Sequence, residues 1–283
     1  MKKNMKKSFL AILAIFAFAS IIKLEAAISD ISVNLKLDAL DFLIGERIRG
    51  VIDVRNISPS LVRVGYTNST DQLFVEVFTA HDMERLVKLN SRPFVAKFKV
   101  GPNEGQKLEV YLGDHYSIAN PRRYLARPVL MHDGVRYEGA YVAFDVVPGM
   151  EITTALQTFA NKPGLNREFR LSHWSRSGAE HLFISAQDEG ASERSWETHD
   201  LGLMLRITKP VISILPSGKI VVLHRNSPDA FVRSEFWSMP NALEFISRER
   251  VDDPQTSAQN RVQEVYDSAG GVKPVERPWW KFW

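Results

Sequence analysis

Period-two alternation of apolar and charged residues is the feature that most constrains this sequence. Between residues 47 and 55 the even positions are apolar or glycine and the odd positions are mostly charged, and the alternation recurs at residues 94–100 and 107–112. Successive side chains of a β-strand point to opposite faces, so such a segment buries one face and exposes the other to water. The pattern therefore predicts antiparallel sheets with one solvated face.

Turn-forming residues separate these alternating segments at short intervals. They cluster at residues 56–59, 101–103, 132–134 and 148–149, where Asn, Pro, Asp and Gly supply the backbone angles that tight turns need. A chain of 283 residues with 45% hydrophobic and 24% charged residues can bury a substantial core. Short strands at this spacing predict a β-sandwich over residues 28–150.

A second β-rich block is expected over residues 165–251. Residues 151–164 are interpreted as a connector with a short helical turn, because Pro163 and Gly164 would end such a turn. The clearest element is a hairpin over residues 211–224, two apolar alternating runs around Pro216, Ser217 and Gly218. Proline fixes one turn dihedral and glycine allows a positive one, which favours a hairpin at this point.

Two stretches of the first block resemble immunoglobulin-like domains of exported bacterial proteins. Residues 42–56 resemble an early strand pair of such domains, with a Gly-Glu turn leading into an alternating strand that ends in Asn. Residues 137–149, a Tyr-containing strand that finishes in Pro-Gly, resemble the closing strand. The resemblance covers residues 28–150 and implies a scaffold or binding module. The chain has no Cys, so the disulfide of antibody domains is absent and only the sandwich is implied.

These patterns together predict an all-β fold. We expect an immunoglobulin-like antiparallel β-sandwich, followed by a second, smaller antiparallel β domain and a C-terminal tail.

The N-terminal 27 residues have the pattern of an export signal. Four lysines precede an uncharged, mostly apolar run of 15 residues from position 8 to 22, and small residues Ala26 and Ala27 follow. The run is shorter than the roughly 20 residues that span a bilayer, and it matches a signal-peptide core. We therefore expect a signal peptide over residues 1–27 and a periplasmic, cell-surface or secreted protein. A single N-terminal membrane anchor is the alternative.

Removal of such a signal would leave a nearly neutral chain. The full sequence has 36 Lys and Arg against 33 Asp and Glu, and residues 1–27 contain five of the bases and one of the acids. The remainder has 31 bases and 32 acids, a formal net charge of −1. Because a near-neutral protein has no overall field that attracts phosphate backbones, the sequence predicts no nucleic-acid partner.

Catalytic and metal-binding signatures are scarce. Without Cys there is no thiol nucleophile and no thiolate metal site, and the seven His show no H-x-H or H-E-x-x-H spacing. A polar cluster assembled across strands from His173, His181 and His199, with Asp188 beside it, is the best candidate for a site. The ordinary alternative is scattered His on sheet faces and loops, so the sequence predicts no catalytic residue, no metal and no cofactor.

Phe74 and Phe78 lie on one face of a segment whose other face carries Leu73, Val75 and Val77. A strand that is apolar on both faces is expected at the centre of a sheet, partly covered by the second block. The alternative is a surface platform for a ligand.

The last part of the chain, residues 252–283, is expected to form a short helix and an aromatic tail. The tail ends in Trp279, Trp280, Lys281, Phe282 and Trp283. Such side chains are unfavourable in water, and the neighbouring cations give the segment an interfacial character. The tail is therefore a candidate for binding a protein partner, the envelope surface or a membrane interface. Docking back onto the protein's own sheets is the alternative.

These observations favour an exported, non-enzymatic binding or assembly protein of the bacterial envelope. Two alternatives remain open. One is an envelope hydrolase with its site at the junction of the two β blocks, and the other is a carbohydrate-binding or inhibitor module. Fold class alone does not decide among them.

Overall fold

The computed structural model describes residues 30–66, 69–159, 164–189, 196–228, 230–240 and 242–251. Within these ranges the chain forms eighteen β-strands, one short 3₁₀ turn and no α-helix, which confirms the all-β prediction. No helix long and apolar enough to cross a bilayer is found in the same ranges. The expected signal peptide, the short helix after residue 252 and the aromatic tail lie outside the described residues.

The first unit, residues 30–147, contains ten strands and the 3₁₀ turn. They are β1 (Ile31–Leu37), β2 (Asp41–Leu43), β3 (Arg49–Asn56), β4 (Val62–Val64), β5 (Gln72–Thr79), β6 (Phe98–Val100), β7 (Glu104–Tyr111), the 3₁₀ turn (Leu112–Asp114), β8 (Arg122–His132), β9 (Val135–Glu138) and β10 (Val142–Val147).

Two main sheets face each other in the first unit. One has the order β1-β3-β7 and the other the order β2-β10-β8-β5, with β9 paired to β8. Strands β4 and β6 form a small third sheet. Almost all pairs are antiparallel, and β2 and β10 are parallel. Alternate residues of β1 and β3, such as Val33 and Ile52, point into a core shared with Val75, Ala126 and Phe144 of the opposing sheet.

The second unit, residues 150–251, contains eight strands. They are β11 (Met150–Thr158), β12 (Asn166–Arg176), β13 (Ala179–Asp188), β14 (Glu197–Leu203), β15 (Val211–Ile214), β16 (Lys219–Ser227), β17 (Ala230–Met239) and β18 (Ala242–Val251). The connector expected over residues 151–164 is corrected by this assignment, because residues 150–158 are a strand paired with β12. Several β-branched residues in that stretch favour extended structure over a helical turn.

The second unit is built from two four-stranded antiparallel sheets, β11-β12-β13-β14 and β15-β16-β17-β18. Phe169 and Ile184 of the first sheet pack with Val222 and Phe236 of the second in one apolar core. The hairpin predicted over residues 211–224 is confirmed, with Gly218 at φ +85° in its turn.

Arg167, on β12, links the two sheets of the second unit through hydrogen bonds to β17 and β18. Its side chain is 3% exposed and forms two contacts with the Asp188 carboxylate, at 2.6 and 2.9 Å. It also donates to the Ser238 hydroxyl and to the carbonyls of Met239 and Ala242 across the sandwich. A buried guanidinium needs this many acceptors because each unpaired N–H would be costly.

Phe74 and Phe78 lie on β5, which is the last strand in the order β2-β10-β8-β5, so the expectation of a strand at the centre of a sheet is wrong. The ring of Phe78 meets Tyr141 edge to face at 5.8 Å, and the Arg127 guanidinium lies near both rings. The Arg136 guanidinium lies 5.9 Å from the centre of the Phe74 ring. The outer face of this sheet is thus covered by arginines, which can stack on aromatic faces while their charged ends reach water.

Candidate functional site at the junction of the two units

The loop between β2 and β3, in the first unit, is in direct contact with the second unit. Its Gly45 has φ +81°, and a Cβ at that position would lie 2.3 Å from the carbonyl oxygen of Trp196. The Thr198 N–H donates to the Gly45 carbonyl at 3.0 Å, and the Thr198 hydroxyl donates to the Ile44 carbonyl at 2.7 Å. Only glycine allows both this backbone angle and this close approach.

An ion network fixes the same loop from the other side. Arg176, at the end of β12, contacts both oxygens of Glu46 at 2.9 and 2.7 Å. It also contacts Asp200 at 3.1 Å and donates to the Asp41 carbonyl at 3.0 Å. The side chains of Arg176 and Glu46 are 13% and 12% exposed. The two units are therefore held together by a nearly buried, bidentate charge pair.

The protonation of Arg176 follows from this environment. Burial acts to lower its pKa, but the hydrogen bond and charge of Glu46, with the charges of Asp200 and Asp41, outweigh burial and raise the pKa. The guanidinium also lies 5.0 Å from the centre of the Phe183 ring. Arg176 is thus a permanent cation in a site that compensates its charge on several sides.

The three candidate histidines are not brought together. His173 Nδ1 contacts Glu180 at 2.9 Å, His181 Nδ1 contacts Asp200 at 2.9 Å, and His199 Nε2 contacts Glu197 at 3.1 Å. His173 and His199 lie on the face of their sheet that meets the apolar core. His181 is paired with Trp174, the neighbour of His173, so it points to the opposite face of the sheet, as Arg176 does.

The fourth member of the expected cluster also lies elsewhere. Asp188 is at the far end of β13, where it is paired with Arg167. Each of the four groups therefore has its own partner, and the described chain does not assemble them into one polar site. Of the four, only His181 contacts the ion network around Arg176, because Asp200 pairs with both residues.

A cleft of about 560 Å³ opens beside this network, between the two units. We call it the junction cleft. Both units contribute to its walls, which consist of residues 44–48, Leu89, Gly113, Asp114, residues 116–119 and residues 196–199. Its volume lies in the range of typical ligand sites.

The junction cleft combines apolar walls with paired charges. Ile44, Ile48 and Ile118 supply apolar surface, while Arg47 and Asp114 form an exposed pair at 3.2 Å on one side. Glu197 and His199 form the pair on the other side. The walls of the cleft therefore combine groups of both charge signs with apolar side chains.

Glu197 is held as a carboxylate within this wall. Burial acts to raise its pKa, but hydrogen bonds from His199 and from the Leu243 N–H, with the charge of Arg167, outweigh burial and lower the pKa. The Leu243 N–H lies 2.8 Å from the carboxylate. Glu197 is consequently an anchored acceptor whose position depends on both sheets of the second unit.

Trp196 forms part of the wall contributed by the second unit. The Arg170 guanidinium lies 4.6 Å from the centre of its indole ring. An indole presents a large apolar surface with a single N–H donor, which suits a binding surface. Trp196 is thus both the residue that Gly45 approaches and a wall of the cleft.

One further group of side chains has the spacing of a metal site. Asp71, His132 and Asp133 are the group of described residues whose possible ligand atoms all lie within 4.8 Å of one another. His132 Nδ1 contacts Asp71 at 2.8 Å, and the same carboxylate accepts hydrogen bonds from the backbone N–H groups of Arg63 and Asp133. These contacts give the group a structural role, because they hold the turn of the β8–β9 hairpin against Asp71.

Sequence reasoning did not identify the junction residues Glu46, Arg176 and Trp196. Gly45 and Glu46 were interpreted only as a turn, and nothing in the strand around Arg176 separates it from the other alternating charges. One usable signal is the Ser177-Gly178 pair, since a two-residue turn there fixes the β12–β13 register. That register places Arg176 and His181 on one face.

Comparisons with known proteins give no family assignment. No family model and no curated protein matches this chain. Among solved structures, the sporulation control protein Spo0M of Bacillus subtilis is similar at 10% identity and a TM-score of 0.31, over 86% of this chain and 98% of that one. The DNA-bound alkylpurine glycosylase AlkC of Pseudomonas fluorescens is similar at 14% identity and a TM-score of 0.28, over 41% of this chain and 30% of that one.

The match to a DNA-bound protein contradicts one expectation. The sequence predicted no nucleic-acid partner from the net charge alone, and that prediction is withdrawn. A net charge averages over the whole surface, so a neutral sum can hide local patches of either sign. At TM-scores near 0.3 the two structures assign no function to this chain, and the immunoglobulin-like resemblance stays a prediction.

Proposed function

We propose that this protein is an exported, envelope-associated binding protein that holds an extended protein segment in the junction cleft. The observation that carries this proposal is a cleft of about 560 Å³ with walls from both units. The lysine-rich, apolar N-terminus supports the export part of the proposal.

The chemistry of the junction cleft supports a peptide over a simple ion. Its walls include the apolar side chains of Ile44, Ile48 and Ile118. They also include two pairs of polar groups, Arg47 with Asp114 and Glu197 with His199. An extended peptide presents apolar and charged side chains alternately, together with main-chain donors and acceptors. A small ion would pair with one of the charged groups and would leave the apolar walls without a partner.

Rigid positioning of the two units supports recognition at this place. The Gly45 approach to Trp196 and the Arg176–Glu46 pair fix both sides of the junction cleft. A preformed site loses less conformational entropy when its ligand binds than a site that must close around it. The cleft is therefore suited to binding with little rearrangement.

A peptide selection with a filled cleft tests the proposal. Random heptapeptides displayed on phage are selected on the full chain, and the recovered peptides are then measured on Ser117→Trp, which places an indole in the cleft. Ser213→Trp, on the exposed side of β15, is the matched control. We expect selected peptides to bind the wild type and the control, and to bind Ser117→Trp at least tenfold more weakly.

A second variant protects the test against misfolding. If Ser117→Trp loses its β-sheet circular dichroism, Ala119→Trp fills the same cleft from a neighbouring wall position. Failure to select any peptide would contradict the proposal, as would equal affinity for the wild type and a folded filled-cleft variant.

A further inference from the structure

A second concave site lies on the first unit, next to the junction cleft, and Tyr116 lines both. Residues 84–89 run beside β5, where the Leu86 N–H donates to the Val77 carbonyl at 2.8 Å. The segment then crosses to the residue that follows the 3₁₀ turn, where the Leu89 N–H donates to the His115 carbonyl at 2.8 Å. Beneath this crossing is a pocket of about 460 Å³, here called the Lys88 pocket, lined by Gln72, Phe74, Arg85, Leu86, Val87, Lys88, Phe94 and Tyr116.

The walls of the Lys88 pocket contain two cations and no carboxylate. The Lys88 ammonium lies 4.9 Å from the centre of the Phe94 ring. Tyr116 contributes its ring only, because its hydroxyl donates to the buried Val75 carbonyl at 2.6 Å. The pocket is therefore apolar and aromatic with positive charge at its edge.

Arg85 is only partly neutralised. Its one ion pair among the described residues is with Glu76 at 3.1 Å, and its side chain is 57% exposed. The same Glu76 carboxylate, 3% exposed, also pairs with Arg127 at 2.8 Å and Arg136 at 2.7 Å. Glu138 also pairs with Arg127 and Arg136, so two carboxylates serve three guanidiniums. One positive charge of this group is left over, and Arg85, the most exposed of the three, can offer it to another anion.

Lys88 has no ion pair among the described residues. Its ammonium donates to the Arg92 carbonyl, and burial lowers its pKa. The neighbouring His115 is buried and stacks on Phe94 at 3.9 Å. Burial lowers the pKa of His115, and the charges of Lys88 and Arg92 lower it further against the opposing charge of Asp114. The partly buried Lys88 ammonium therefore lacks a counter-ion among the described residues.

We propose that the Lys88 pocket binds an organic anion, with its charged group between Lys88 and Arg85 and an aromatic body against Phe74 and Phe94. Charge-assisted hydrogen bonds to both cations fix the head group, and the rings supply apolar contact. Neither part alone matches the pocket, because a bare anion leaves the partly exposed Phe74 ring without contact and a neutral ring leaves the ammonium without a counter-ion. The anion is a different ligand from the peptide proposed for the junction cleft, and the two sites share Tyr116 as a lining residue.

Calorimetric titration of the full chain tests the assignment. The probes are 3-phenylpropionate and phenyl phosphate, which carry both features with different head groups. Acetate and inorganic phosphate lack the ring, and 3-phenylpropanol lacks the charge. We expect at least one phenyl anion to bind, and each of the three single-feature probes to bind at least tenfold more weakly than that anion. The tighter of the two phenyl anions identifies the head group.

Variants place the binding in the Lys88 pocket. Lys88→Gln is expected to weaken the phenyl anion about tenfold, the loss typical for one charged hydrogen bond. The matched control Lys99→Gln, on the exposed face of β6, should leave its affinity unchanged. Arg85→Gln serves as the second variant should Lys88→Gln not fold. No binding of either phenyl anion, equal binding of 3-phenylpropanol, or unchanged affinity in the folded pocket variants would overturn the proposal.

Discussion

Arg176 and Glu46, 130 residues apart in sequence, form a bidentate ion pair that joins the two units of this protein. Each side chain is less than 15% exposed, so the pair is shielded from water on most sides. Removing one partner of such a pair leaves a buried charge without compensation, which costs far more than losing a surface ion pair. The junction is therefore a point where single substitutions should have large effects.

Glu46→Gln is expected to destabilise the protein by about 3 kcal/mol, at the lower end of the range for a broken buried pair because Asp200 still faces Arg176. Urea unfolding followed by circular dichroism measures the change. Glu109→Gln is the matched control, since Glu109 pairs with Arg49 on the surface, where both side chains are about half exposed. A loss in Glu46→Gln no larger than that in the control would show that the junction pair contributes little.

Gly45→Ala should separate steric clash from backbone strain. Gly45 and Gly134 both have positive φ, +81° and +77°. A Cβ added at Gly45 would lie 2.3 Å from the Trp196 carbonyl oxygen, whereas a Cβ added at Gly134 would have no other atom within 4 Å. Gly134→Ala should cost about 1–2 kcal/mol from the left-handed backbone alone. Gly45→Ala should cost clearly more and alter the fluorescence of Trp196. Equal losses of thermal stability in the two variants would be inconsistent with the close approach described here.

His224 gives the protein a defined acid sensitivity. This histidine is 1% exposed on the inner face of β16, and its Nε2 lies 3.1 Å from the Leu203 carbonyl oxygen. Burial lowers the pKa of His224 from 6.5 to about 4; the charge of Arg248 lowers it as well, while the Leu203 carbonyl and Asp200 act in the opposite direction. Between these two pH values the unfolded chain binds a proton that the folded chain does not.

Stability should therefore fall as pH falls from 6.5 towards 4, by on the order of 2 kcal/mol between pH 7 and pH 5 from this residue. Urea unfolding at the two pH values measures the fall. His224→Gln should show a smaller fall than the wild type, and His81→Gln, at an exposed histidine, should keep the wild-type fall. An undiminished fall in His224→Gln would contradict the assignment.

The strands were predictable where alternation is strict. Residues 47–55 and the hairpin around Gly218 follow directly from side-chain period and turn chemistry. Residues 151–164 were interpreted as a connector because turn residues flank them, although the β-branched side chains of residues 152–154 favour the strand observed at Met150–Thr158. Local pattern does not state which strand pairs with which, so the parallel pairing of β2 with β10 was not foreseen.

The site was less predictable because its parts are distant in sequence. His181 has Glu180 as its sequence neighbour, but Glu180 contacts His173 and His181 contacts Asp200. Neighbours in a strand face opposite ways, so the partners of a strand residue are set by register and not by adjacency. The close approach of Gly45 to Trp196 depends on how the two units meet, which no local pattern specifies.

Hydrogen exchange of the full chain with a selected heptapeptide tests the central claim most directly, since it reports where the peptide lies. We expect the peptide to slow amide exchange at residues 44–48, 113–119 and 196–199, which come from both units and line one cleft. Protection confined to one unit, or to segments that do not line the junction cleft, would contradict the claim that this protein binds its partner between its two β-sandwiches.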